Sequence, residues 1–189
     1  MKYRIIGTGA LAVIALTTTG AASCGSSGGA TVNQASSPAP SSSTAPAAAA
    51  AHAGAALNLT GSSSGEKVQV TLVKVVDPSS PASQFTVPPA GMREVALELR
   101  YKNVGSAAYS TSILTNVTVQ DAASHSYSID ISGDTTAGPG FPSDLINIAP
   151  GESADGFVTF QVPTATPVTQ VKLSLDTFGG GDQGEWLVP

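Results

Sequence analysis

Two histidines, one cysteine and thirteen acidic side chains are what 189 residues offer as imidazole, thiol and carboxylate groups for acid–base or metal chemistry. Nucleophilic catalysis of the serine–histidine–aspartate kind needs an imidazole held by a carboxylate. The one histidine among strand-like residues is His125, in DAASHSYSID, with Asp121 and Asp130 near it in sequence. Its neighbours are turn formers, so the expectation is an exposed hairpin histidine. His52 lies in an alanine run that supplies no further ligands, and is expected to be a solvated bystander. No His-x-x-x-His pair, phosphate-cradling loop or strand-to-helix nucleophile elbow is present. Copper would want several Met and His ligands, and beyond residue 23 the chain offers only Met92, His52 and His125. Asp130, Asp134 and Asp144 could gather around a calcium ion with backbone carbonyls, but their spacing fits no EF-hand, and they are expected to be solvated loop acids. The expectation is of a protein that is not an enzyme, with no catalytic residue, metal or cofactor.

Cys24 has no partner for a disulfide within its own chain. The residues before it explain it. Residues 1–4 (MKYR) carry two positive charges, residues 5–16 (IIGTGALAVIAL) are apolar except for Thr8, and residues 17–23 (TTTGAAS) are small and uncharged. That is a signal peptide, with an apolar stretch too short for the ~20 residues of a membrane-spanning helix. Ala21-Ala22-Ser23-Cys24 resembles a bacterial lipobox, with Ala21 where leucine is usual. The resemblance implies cleavage after residue 23 and a lipid on the Cys24 sulfur, which places the protein on the outer face of the cytoplasmic membrane. An ordinary signal-peptidase cut among the same small residues is the alternative, and would leave the protein secreted. One acyl chain binds a membrane only marginally, so the two or three chains of a lipoprotein matter.

Residues 25–64 contain 33 Gly, Ala, Ser, Thr or Pro among 40. Such a composition buries too little apolar surface to offset backbone entropy. Residues 24–64 are therefore expected to be a disordered tether, with a reach of about 35 Å. All thirteen acids lie from Glu66 onward, and 65–189 is the size of one domain. Without Lys2 and Arg4, six bases face thirteen acids, a formal charge of −7. That balance argues against nucleic acid as a partner and against direct adhesion to anionic lipid.

The elements that must position any site read as strands. In residues 93–105 (REVALELRYKNVG), Val95, Leu97, Leu99 and Tyr101 alternate with Glu94, Ala96, Glu98, Arg100 and Lys102, so one face is expected in a core and the other in water. The same period marks 67–76, 113–120, 156–162 and 169–175, with shorter candidates at 126–131, 145–148 and 185–188. Turn signals separate them, among them Asp77-Pro78, Pro150-Gly151 and the glycines at 179–181. No window shows a helical period. Seven or eight short strands so spaced predict an all-β antiparallel sandwich.

The order of GEKVQVTLVKVV, GMREVALELRYKNVGS, IAPGESADGFVTFQVP, VTQVKLSL and a terminal GEWLVP resembles the Telokin-like domain of unknown function of extracytoplasmic Gram-positive lipoproteins, similar in fold to the mycobacterial immunoprotective extracellular antigen. The resemblance covers residues 65–189 and implies an immunoglobulin-like β-sandwich at the cell surface. It carries over no catalytic residue.

Two connections, residues 77–91 (DPSSPASQFTVPPAG) and 132–144 (SGDTTAGPGFPSD), are longer than usual, and each presents one phenylalanine, Phe85 and Phe141. Long loops on a rigid sandwich are frequent recognition sites. The two rings are therefore candidate partner-binding residues, with capping of the sandwich ends as the competing role. The expected function is a lipid-anchored, non-catalytic binding module whose partner is a protein or envelope component. An accessory or spacing protein without a discrete ligand is the alternative, and an unrecognised hydrolase using His125 a third. Trp186 is expected to plug the core edge on the last strand.

Overall fold

The strand β4 (Met92–Asn103) shows how the sequence pattern becomes a core. In the computed structural model it runs antiparallel to β3 (Lys67–Ser79) on one side and to β9 (Ser153–Pro163) on the other. A further strand, β2 (Ala56–Thr60), completes a sheet in the order β2-β3-β4-β9. Val95, Leu97, Leu99 and Tyr101 are fully buried on one face, beside Val68, Val70 and Leu72 of β3 and Phe160 and Val162 of β9. Burying such a side chain contributes about 1.5–3 kcal/mol relative to leaving it exposed.

The second sheet comprises β1 (Ala51–His52), β11 (Gln183–Leu187), β10 (Val168–Ser174), β6 (Val117–Asp121) and β7 (Ser126–Ser128), in that order. Its pairings are antiparallel except for β1 with β11, which is parallel. Val117, Val119, Val171, Leu173 and Trp186 enter the same core cluster from this side. A two-stranded pair, β5 (Tyr109–Ser112) and β8 (Leu145–Ile148), adds Tyr109, Ile146 and Ile148. The protein is thus an antiparallel β-sandwich. The structure describes residues 51–176 and 181–189; the expected signal peptide, Cys24 and the expected tether up to residue 50 lie outside them, as do the glycines at 179 and 180.

Four expectations are corrected. The domain does not begin at residue 65: β1 and β2 belong to the two sheets and Leu59 is buried, so the folded part is already under way at Ala51. The small residues around Leu57 and Leu59 hide this strand in a low-complexity composition, and only pairing with β3 supplies the burial that offsets its entropy. His52 consequently sits in β1 opposite Leu187 rather than in a tether, although its side chain is exposed as expected. Residues 113–120 are not one strand, because a helical turn, α1 (Ile113–Asn116), precedes β6 and buries Ile113 while redirecting the chain from β5. Glu94 and Ala96 do not face water: they are 3% and 0% exposed, because a loop covers that part of the outer sheet face.

Asn103, at the end of β4, organises the turn that follows. It is fully buried; its Nδ2 donates to the carbonyls of Ala107 and Ile148 at 2.8 Å each, and its Oδ1 accepts from Gly105 N at 2.9 Å. Gly105 admits no side chain, since a Cβ there would lie 2.2 Å from the Gly65 carbonyl oxygen. The Lys102-Asn103-Val104-Gly105 string therefore ties the end of β4 to β8 of the two-stranded pair.

Candidate functional site

The two long loops meet. The segment after β3 and the segment between β7 and β8 pair through a bridge of Pro81 with Thr135. Ala82 N donates to the Asp134 carbonyl at 3.2 Å, and Thr136 N to the Ser80 carbonyl at 2.9 Å. Thr86 Oγ1 donates to Asp134 Oδ1 at 2.6 Å, and the hydroxyls of Ser79 and Thr135 share a 2.5 Å hydrogen bond. The base of the first loop is pinned by Arg93, which makes a bidentate pair with Asp77 at 2.6 and 2.8 Å and also donates to the Pro163 carbonyl. Loops so tied present their tips at a lower entropic cost of binding than free ones.

Beneath this clasp lies Glu94, opposite Ser79 on β3 and Gln161 on β9. Burial pushes its carboxyl above the ordinary value; hydrogen bonds from Ser79 and Thr135 act the other way, and the nearby Asp134 and Asp130 reinforce the rise. Glu94 Oε1 and the Thr159 Oγ1 hydroxyl are buried with no hydrogen-bond partner within the protein. A second row of contacts holds the 130–141 segment to β9. Asp130 N donates to the Thr159 carbonyl at 2.8 Å, Phe157 N to the Pro139 carbonyl at 2.9 Å, and Gln161 Nε2 to Asp130 Oδ2 at 2.6 Å. Between these anchors opens a groove of two adjoining lobes, about 130 and 240 Å³, both touching Gly133, Gly140, Phe157 and Thr159. Ile131, Phe141 and Asp144 border the smaller lobe, and Asp134 and Pro139 the larger. Gly156 lets the segment lie this close, since a Cβ there would meet Phe141 N at 2.5 Å.

The family model for a domain of unknown function, DUF4352, matches residues 59–183. The chain belongs to the DUF4352 family. The match begins inside β2, so it takes in the end of the strand that composition had placed in the tether. No curated protein is matched by the sequence. Solved structures similar to this DUF4352 domain include the secreted protein MPT63 of Mycobacterium tuberculosis, 18% identical, over 66% of this chain and 88% of that one, with a TM-score of 0.48. The yjhA protein of Bacillus subtilis is 11% identical over 74% and 99% of the two chains, with a TM-score of 0.50. An uncharacterised β-sandwich protein of Clostridium difficile is 10% identical over 74% and 95%, with a TM-score of 0.42. These are likenesses of fold alone, and the structure itself is a β-sandwich, as the resemblance implies.

The DUF4352 domain separates the two candidate rings. Phe85 is 88% exposed at the tip of the first loop, whereas Phe141 is half-buried, its ring 5.9 Å from that of Tyr101 in an edge-on contact. Asp130 is consumed locally. Its burial works to raise the pKa, but hydrogen bonds from Gln161, Ser132 and Gly133 outweigh that and leave it below the ordinary value. Asp134 belongs to the clasp and Asp144 borders the groove. Among the described residues no group of three or more His, Cys, Asp or Glu side chains is arranged to hold a metal ion.

His125 is held by an acid, and the acid is Asp121 rather than Asp130: Nδ1 lies 3.0 Å from Asp121 Oδ2, with the ring exposed. Asp121 also accepts from the backbone of Ala123 and His125 and from the Tyr127 hydroxyl, at 2.8, 2.9 and 2.9 Å. Burial acts to raise its pKa, and these donors outweigh it and hold it at about 2. The carboxylate thus organises the β6–β7 hairpin turn. The string at 61–65 (GSSSG) matches Gly-x-Ser-x-Gly letter by letter, but it joins antiparallel β2 to β3 and precedes no helix. Glu94 and Thr159 were missed by sequence reasoning. The alternating pattern assigns both to a solvent face, and no signal in the sequence reports that a loop from elsewhere covers them.

Proposed function

We propose that this DUF4352 protein is a non-catalytic binding module of the cell envelope, anchored by lipid on Cys24, whose clasped loops contact a protein or envelope component. The carrying observation is Phe85: a large apolar ring held out into solvent on a loop fastened at both its base and its flank. Val87, 59% exposed, continues the apolar tip. Exposed aromatic side chains on a rigid support are typical binding anchors. The signal-peptide pattern of residues 1–23 and the Ala21-Ala22-Ser23-Cys24 string support the reading of export and anchoring outside the cytoplasmic membrane.

The test is cross-linking in the native envelope with the wild-type protein and with Phe85→Ala/Val87→Ser. A binding module gives a discrete adduct that the double variant loses while its folding is unchanged; a spacer protein gives no adduct that depends on these side chains. Intact mass of the N-terminal peptide settles the anchor, since a diacylglyceryl mass on Cys24 is the expected result and an unmodified thiol contradicts it.

A further inference from the structure

Residues 103–171 contain six acidic side chains and not one Lys or Arg. That stretch supplies every residue of the groove between β9 and the 130–144 segment, which is therefore without a base of its own. Asp134 lines its larger lobe; Asp130 and Asp144 line the smaller. Five of the six bases beyond the signal peptide stand on β3 and β4, and one of those, Arg93, is already paired with Asp77. The groove is also apolar. Leu114, Ile131 and Phe157 line it, Ile131 is 77% exposed, and Leu145 beside Asp144 is 64% exposed. Thr159 borders both lobes and is 3% exposed, its hydroxyl oxygen turned toward Gly133 and without a partner within the protein.

We infer that this groove seats a basic, apolar-flanked peptide segment of a partner protein, with cationic side chains at Asp134 in one lobe and Asp144 in the other and its apolar side chains on Ile131, Leu114 and Phe157. The inference rests on the binding-module reading and adds the chemistry of the partner. Unlike charge across an interface steers encounter and sets specificity, and an acidic groove without a single base rejects an anionic segment. An anionic lipid surface is repelled for the same reason. A bare polyamine would satisfy the acids and leave Ile131 and Leu145 in water. A peptide satisfies both.

The test is selection of an unbiased random peptide library on the complete folded protein, followed by amide shift mapping with the selected peptides, with spermine, and with anionic and neutral phospholipid vesicles. Selected peptides are expected to be rich in Lys or Arg next to apolar residues and to shift Ile131, Asp144 and Phe157. Their affinity should fall about tenfold in Asp134→Asn/Asp144→Asn, where the asparagine at 134 keeps an acceptor for Thr86, and fall again with salt. Peptides that are acidic or neutral, that map elsewhere, or that fail to appear overturn the inference, as does spermine or an anionic vesicle binding the groove as strongly. If Phe85-dependent adducts form in the envelope while the library returns no basic peptide, the partner chemistry alone is wrong. If neither adduct nor peptide appears, the binding-module reading falls with it.

Discussion

Trp186 donates its indole N–H to the carbonyl of Ala55, 2.9 Å away and 131 residues earlier in the chain. The last strand of the sandwich is thereby locked to the residues that lead into β2, and the indole itself is fully buried. A protein shortened to start at residue 65 loses β1, β2 and Leu59 and uncovers Trp186. It should be about 3–5 kcal/mol less stable than one starting at residue 46. Urea unfolding measures the loss, and a red-shifted tryptophan emission reports the uncovered ring. Trp186→Phe, which keeps most of the packing, should lose only about 1 kcal/mol for the hydrogen bond.

Asn103 joins three backbone groups from a fully buried position. Asn103→Ala leaves two carbonyls and one amide without a partner and should cost about 2–4 kcal/mol in urea unfolding. Asn103→Asp should be worse, because a carboxylate cannot donate to the Ala107 and Ile148 carbonyls and would be buried with its charge.

Glu94 and Asp121 push stability in opposite directions with pH. Asp121, held at about 2, contributes stability that is present above its ordinary value of 3.8 and is lost as the pH falls toward 2. Asp121→Asn should therefore lower the unfolding midpoint at neutral pH, with the gap to wild type closing in strong acid. Glu94 is raised, so the folded state is favoured below its ordinary value of 4.5, and that advantage is lost as the pH rises through the elevated folded-state value. Glu94→Gln should remove this loss, leaving the variant more stable than wild type at about pH 8 and close to it at about pH 4. Thermal midpoints measured across that range check both signs.

Gly156→Ala should loosen the groove wall selectively. Its Cβ would meet the backbone of Phe141 and Gly140, at 2.5 and 2.8 Å, and backbone cannot step aside as a flexible side chain can. The expected penalty is about 1–3 kcal/mol. Faster hydrogen exchange at the Asp130 and Phe157 amides, with the β3–β4 amides unchanged, would locate it in the 130–141 segment.

Phe85 and Phe141 should divide cleanly between binding and stability. Phe85→Ala is expected to change stability by no more than about 0.5 kcal/mol, because the ring touches little but solvent. Phe141→Ala removes the contact with Tyr101 and should cost about 1–3 kcal/mol. Urea unfolding of the two variants side by side tests the division.

The sequence by itself determined the class of fold, most of its strands and the scarcity of acid–base groups, because a period of two in Val95, Leu97, Leu99 and Tyr101 is a local property that survives in any β-sandwich. It also singled out the two long loops. Only the tertiary structure decided that Leu57 and Leu59 form a strand, since their burial comes from β3 and Trp186 rather than from their alanine- and serine-rich neighbours. The same holds for the site. Glu94 and Thr159 become buried, and Phe141 parts company with Phe85, because loops 48 residues apart at Thr86 and Asp134 close over one sheet face. Which residues meet across such a distance depends on the packing of the whole chain, and no stretch of sequence between them carries that information.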